Sequence, residues 1–114
     1  MANITEDLLK NFQEFLYSAN RDLSENRYNP AISSYFKAIA ILCDSVIYKE
    51  RGLLPKNHRE RFLFLEVQYK DAYNLISPLF KEYTNSYNIR VQKEKVLRLK
   101  ESVEKLKTIF QIKI

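Results

Sequence analysis

The chain predicts an all-α fold, an antiparallel bundle of four to five helices, and three observations predict it. One Gly and three Pro in 114 residues leave too few breakers for a turn-rich β fold. Apolar residues recur in steps of three and four along nearly the whole length, the spacing of one helix face. The length and 46% hydrophobic content suit a single domain, residues 1–114, with a core that needs no staples.

The first helix starts after Asn3, whose side chain can cap while Glu6 stands at the capping-box spacing. Its stripe is Ile4, Leu8, Phe12, Phe15, Ala19 and Leu23, and "SENRYNP" ends it. Asn29 is then expected to cap a second helix, about 30–50, with Pro30 at its first position, where a missing N–H costs nothing. This helix is apolar nearly all round: Ile32, Tyr35, Phe36, Ile39, Leu42, Cys43 and Val46 on one side, Ala31, Ala38, Ile41 and Tyr48 on others. Such a helix is either the central one or lays a face against a second subunit. Cys43 reads as a small core hydrophobe. Asp44, set among Leu42, Cys43, Val46 and Ile47, needs a partner, because an unpaired buried carboxylate is expensive.

Gly52 supplies a left-handed stop and Pro55 prevents continuation. Asn57 caps a third helix with Glu60 three residues on, which puts His58 in the first turn beside unsatisfied backbone N–H groups. Phe62 and Leu65 point inward and the helix fades near Gln68. A stripe of Tyr73, Ile76, Phe80, Tyr83 and Tyr87 runs in phase through Pro78, so one kinked helix of about 71–87 is expected, although Ser77–Pro78 could open a fresh one. The last helix, about 90–111, carries Val96, Leu99, Val103, Leu106 and Phe110 inward, with Glu94–Arg98 and Glu101–Lys105 spaced for exposed pairs.

Composition also bounds function. The lone Cys43 allows no internal disulfide or cysteine cluster, and one histidine allows no His-rich zinc site, so neither metal nor cofactor is expected. Residues 1–20 mix charges with apolar residues, unlike a signal peptide, and no run is expected to span a membrane; the reading is cytoplasmic. The net charge of +5 is concentrated. Residues 49–61 carry five basic and two acidic groups and residues 89–114 carry eight and three, whereas residues 1–48 carry four and six. That distribution suits either a polyanion or a solvated lysine face.

With one glycine the chain can build neither a phosphate-binding glycine loop nor a nucleophile elbow. What remains is "KERGLLPKNHRERF", residues 49–62, which gathers the only Gly, one Pro and the only His. An imidazole can move a proton at a ribose 2′-hydroxyl or a leaving oxygen. A guanidinium can clamp a phosphate and stabilise charge developing on it. The arginines and the helix N-terminus disfavour imidazolium, so His58 is expected to be neutral and able to act as a base.

Residues 28–62, "YNPAISSYFKAIAILCDSVIYKERGLLPKNHRERF", resemble the HEPN superfamily of small all-α proteins common in prokaryotic toxin–antitoxin and defence systems. The resemblance rests on the tyrosine-rich helix with alanines, the "GLLPKNH" turn and the Arg-x6-His spacing from Arg51 to His58. It implies a homodimer in which the Arg and His of both chains line one cleft that cuts RNA without metal, leaving 2′,3′-cyclic phosphate ends, with Arg51 and His58 catalytic. Lys56, Asn57, Arg59 and Arg61 are then candidates for substrate contact, and Asp44 and Tyr48 for support from the second helix. Glu60 stands where some members carry a tyrosine modified by a partner nucleotidyltransferase, and many members are non-catalytic modules that bind nucleotides or partner proteins. The chain is expected to be either a ribonuclease toxin or such a module.

Overall fold

A computed structural model describes residues 3–114. They form α1 (Ile4–Ser24), α2 (Tyr28–Arg51), α3 (His58–Gln68), α4 (Lys70–Asn85) and α5 (Lys93–Phe110), with no strand among the described residues. The all-α expectation holds.

α2 is the hub. It packs along α1 over most of its length, and also touches α5, α4 and α3. Ten of its residues are buried, from Ala31 to Ile47, against Phe12 and Ala19 of α1, Leu65 of α3, Ala72, Ile76 and Leu79 of α4, and Val96, Leu99, Val103 and Leu106 of α5. α2 is long and apolar enough to cross a membrane by length and composition, which amends the expectation that no run would be. Its apolar stretch is 56% buried inside the chain, packed against the other four helices. Cys43 is fully buried, and burial pushes its thiol pKa up, as a core hydrophobe's would be.

Several local devices follow the sequence. Asn3 accepts from the Glu6 N–H at 3.2 Å, Asn57 accepts from the Glu60 N–H at 2.9 Å, and Gly52 ends α2 at φ 71° with its N–H on the Tyr48 carbonyl. α4 continues through Pro78 as one helix.

Asn29 does not cap α2. The helix begins earlier, with Arg27 at its cap position making no side-chain cap bond. The Asn29 amide donates to the carbonyls of Ser86 and Ile89, both at 2.8 Å, and accepts from the Val91 N–H at 3.1 Å. One primary amide meets three backbone groups of the turn between α4 and α5, more than a helix cap would use. Pro30 still falls in the first turn, where no N–H is required. The same bracket holds residues 89–91 out of α5, which starts at Lys93 rather than near 90. The α5 ion pairs also differ from expectation. Lys95 meets Glu82 of α4 at 2.9 Å and Lys107 meets Glu104 at 3.1 Å, and neither lysine belongs to the expected pairs.

Candidate functional site

The segment that follows α2 carries His58 to the first position of α3. Gly52 turns the chain, Pro55 and Lys56 follow, and the Asn57 side chain closes the first turn. The Lys56 N–H donates to Glu60 Oε1 at 2.9 Å, so Glu60 reaches back one residue further than a capping box requires. The turn is held at both ends. Lys56, Asn57 and Arg59 are exposed and His58 is half-buried.

The His58 ring lies against four others: Phe80 at 5.1 Å, Phe36 at 5.7 Å, Tyr83 at 6.0 Å and Phe62 at 6.4 Å between centroids. Phe36 comes from α2, Phe62 from α3 and the other two from α4. Arg61, one turn along α3, points the same way. Its Nη1 is 2.6 Å from His58 Nδ1, and its Nε and Nη2 donate to Asp44 Oδ1 and Oδ2 at 2.6 and 2.9 Å. Both side chains of this ion pair are buried, 10% and 14% exposed. The forked geometry is the strong form of an arginine–carboxylate contact. Asp44 thus has the core partner its apolar neighbours demand.

This geometry sets the chemistry of His58. A guanidinium only donates, so Nδ1 must present its lone pair and the neutral ring carries its proton on Nε2. Burial, then the Arg61 charge, lower the His58 pKa below its ordinary 6.5, against an opposing pull from Asp44. The ring is neutral, as expected from sequence. It is not a ready base, however, because its one lone pair already accepts from Arg61. Nε2 has no protein partner among the described residues, and no buried side-chain nitrogen or oxygen there is unpartnered. Nε2–H therefore reaches solvent as a donor.

No protein-family model, curated protein or solved structure matches this chain. The site is read from its own residues.

Arg51 stands elsewhere. Its guanidinium carbon lies 5.4 Å from the centroid of the Phe64 ring, and Phe64 is six residues beyond His58, about 120° around α3. The structure does not bring Arg51 into contact with His58; Arg61 meets that ring instead. Arg51 lines a groove of about 610 Å³ with Leu53, Leu54, Leu63, Phe64 and Val67. Tyr48, one turn beyond Asp44, is half-buried and makes no side-chain hydrogen bond among the described residues. The His58–Arg61–Asp44 chain joins three residues singled out by sequence in an order that spacing did not specify. The α4 rings at 80 and 83 belong to the site as well. They were visible as an apolar stripe, but nothing in a stripe says which residue it will face.

Proposed function

We propose that the chain is a HEPN-like module whose 56–61 turn binds the phosphates of RNA without cutting the strand. The observation that supports this reading is the contact between Arg61 Nη1 and His58 Nδ1. It keeps the imidazole in the Nε2–H tautomer, suited to donate a hydrogen bond to a phosphate oxygen and unable to accept a proton from a 2′-hydroxyl. Exposed Lys56 and Arg59, its near neighbours in sequence, supply charge that a polyanion uses, Lys56 from the groove that Arg51 also lines. Asp44 holds Arg61 in place, so Arg61 acts on His58 and is not itself open to substrate. A cytoplasmic place, and a nucleotidyltransferase as partner, belong to the same reading.

A second reading, a metal-independent endoribonuclease toxin, is favoured by one feature. His58 is neutral and reaches solvent beside a guanidinium, and a substrate phosphate that drew Arg61 away would free Nδ1 and let the ring shuttle a proton. Pairing of two copies belongs to this reading. One apolar patch open to it, on the segment after α2 and on α3, is Leu53, Leu54, Leu63 and Val67, which are 43% to 73% exposed.

One experiment separates the two. Labelled RNA is incubated with the protein in EDTA, and cleavage and mobility shift are read on the same samples for wild type and His58→Ala. Retardation of intact RNA that weakens in the variant supports the binding module. Cleavage to cyclic-phosphate ends that His58→Ala abolishes establishes the ribonuclease instead. Neither retardation nor cleavage overturns both.

A further inference from the structure

Tyr87 is a large aromatic side chain left 71% exposed, yet it is not loose. Its hydroxyl is 2.8 Å from that of Tyr83, and the two rings meet edge to face at 5.6 Å. Tyr83 in turn stacks on the buried Phe36 at 4.6 Å, with 12° between planes, and lies 6.0 Å from His58. A continuous run of rings therefore leads from the core, through Tyr83, to an open ring on the surface, with His58 beside its middle member. Tyr17, exposed to 66%, makes no ring contact among the described residues and provides the contrast.

Resting on the phosphate-binding reading above, we propose that Tyr83 and Tyr87 form a nucleobase platform, on which one base of single-stranded RNA stacks on Tyr87 while a neighbouring phosphate accepts from His58 Nε2–H. The physical case has three parts. An exposed aromatic face gains by covering itself with a base, and every base offers such a face. The Tyr83 hydroxyl already restrains the Tyr87 ring, so little side-chain freedom is lost on stacking. The legs of 5.6 and 6.0 Å from Tyr87 to Tyr83 to His58 keep the two ends within about 12 Å, a span of about three nucleotides at roughly 3.4 Å each. An open shelf lacks edge-reading groups, so the ligand class is single-stranded RNA without strong sequence preference. A duplex, whose base faces are covered, does not fit it.

The test is fluorescence anisotropy with a short fluorescein-labelled oligouridylate, its binding compared across wild type, Tyr87→Ala, Tyr87→Phe, Tyr17→Ala and Arg59→Ala, with circular dichroism confirming that each variant is folded. Tyr87→Ala should weaken binding about tenfold, Tyr87→Phe, which keeps the ring but loses the hydroxyl restraint, should weaken it only about two- to threefold, and Tyr17→Ala should change nothing. The chain has no tryptophan, so Tyr87→Trp adds a single emitter that stacking should quench. If Arg59→Ala weakens binding and Tyr87→Ala does not, the platform is overturned and the phosphate reading stands. If Tyr87→Ala weakens a duplex as much as the single strand, the platform is likewise overturned. If the wild type binds no oligouridylate, both fall.

Discussion

Arg61 Nη1 stands 2.6 Å from His58 Nδ1 while the same guanidinium grips both oxygens of Asp44. A cation held that close to an imidazole favours the neutral ring, and the carboxylate behind the cation opposes it only in part. His58 is thus a donor fixed in one tautomer by a buried ion pair. Its behaviour should follow the pair.

An NMR titration of the His58 ring should give a pKa below 6.5, the direction set by burial and Arg61. Arg61→Met should move it up and Asp44→Asn should move it down, because Asp44 is the one group of the three that stabilises imidazolium. The stability consequence has a definite sign. With the folded-state pKa depressed, the unfolded chain binds the proton more readily, so His58's contribution is complete above pH 6.5 and is lost as pH falls through the folded-state value. Thermal melts of wild type minus His58→Gln should therefore be flat above pH 6.5 and decline below it. A difference that grows on acidification would contradict the assigned tautomer.

The Asp44–Arg61 pair should be costly to break and cheap to replace. Asp44→Leu and Arg61→Met, each leaving one buried partner without its ion, should destabilise by about 3 kcal/mol or more. The double variant Asp44→Leu/Arg61→Met should recover much of that loss, since two apolar side chains leave no stranded charge. Urea unfolding of the four proteins measures the coupling. Additive losses would mean that the two side chains act independently.

Asn29→Ala should cost about 2 kcal/mol, from three hydrogen bonds that join the start of α2 to residues 86–91. The loss should be local in kinetics as well as global in stability. Hydrogen exchange at the Val91 amide, which donates to Asn29 Oδ1 at 3.1 Å, should quicken well before that of Leu99 or Val103. Asn29→Asp, which keeps the acceptor but sets a carboxylate oxygen against the two carbonyls the amide served, should cost at least as much as alanine.

The sequence was most informative where structure depends on near neighbours. The caps at Asn3 and Asn57 and the stop at Gly52 each involve residues within four positions, and all three stand as expected. Asn29 shows the limit. Its local chemistry suited a cap, but three backbone groups some sixty positions away offered the same amide more bonds. The candidate site divides in the same way. His58 at the start of α3 and a partner for Asp44 were legible from spacing and from the cost of a buried charge. That Arg61, not Arg51, would meet His58 was not.

Helical periodicity alone determined that this chain is an all-α bundle, because a stripe at intervals of three and four needs only the helix's own geometry. Tertiary packing decided what α2 faces, which helix supplies the rings around His58, and which arginine reaches it. Those outcomes depend on how helices rotate about their axes to interlock, and a ring such as Phe64 or a carboxylate such as Asp44 captures a guanidinium only once that rotation is set. On α3, about 120° separates His58 from Phe64, which carries Arg51 over it, with Arg61 about midway between them, and the docking of α3 against α2 and α4 decides that Arg61 turns to His58.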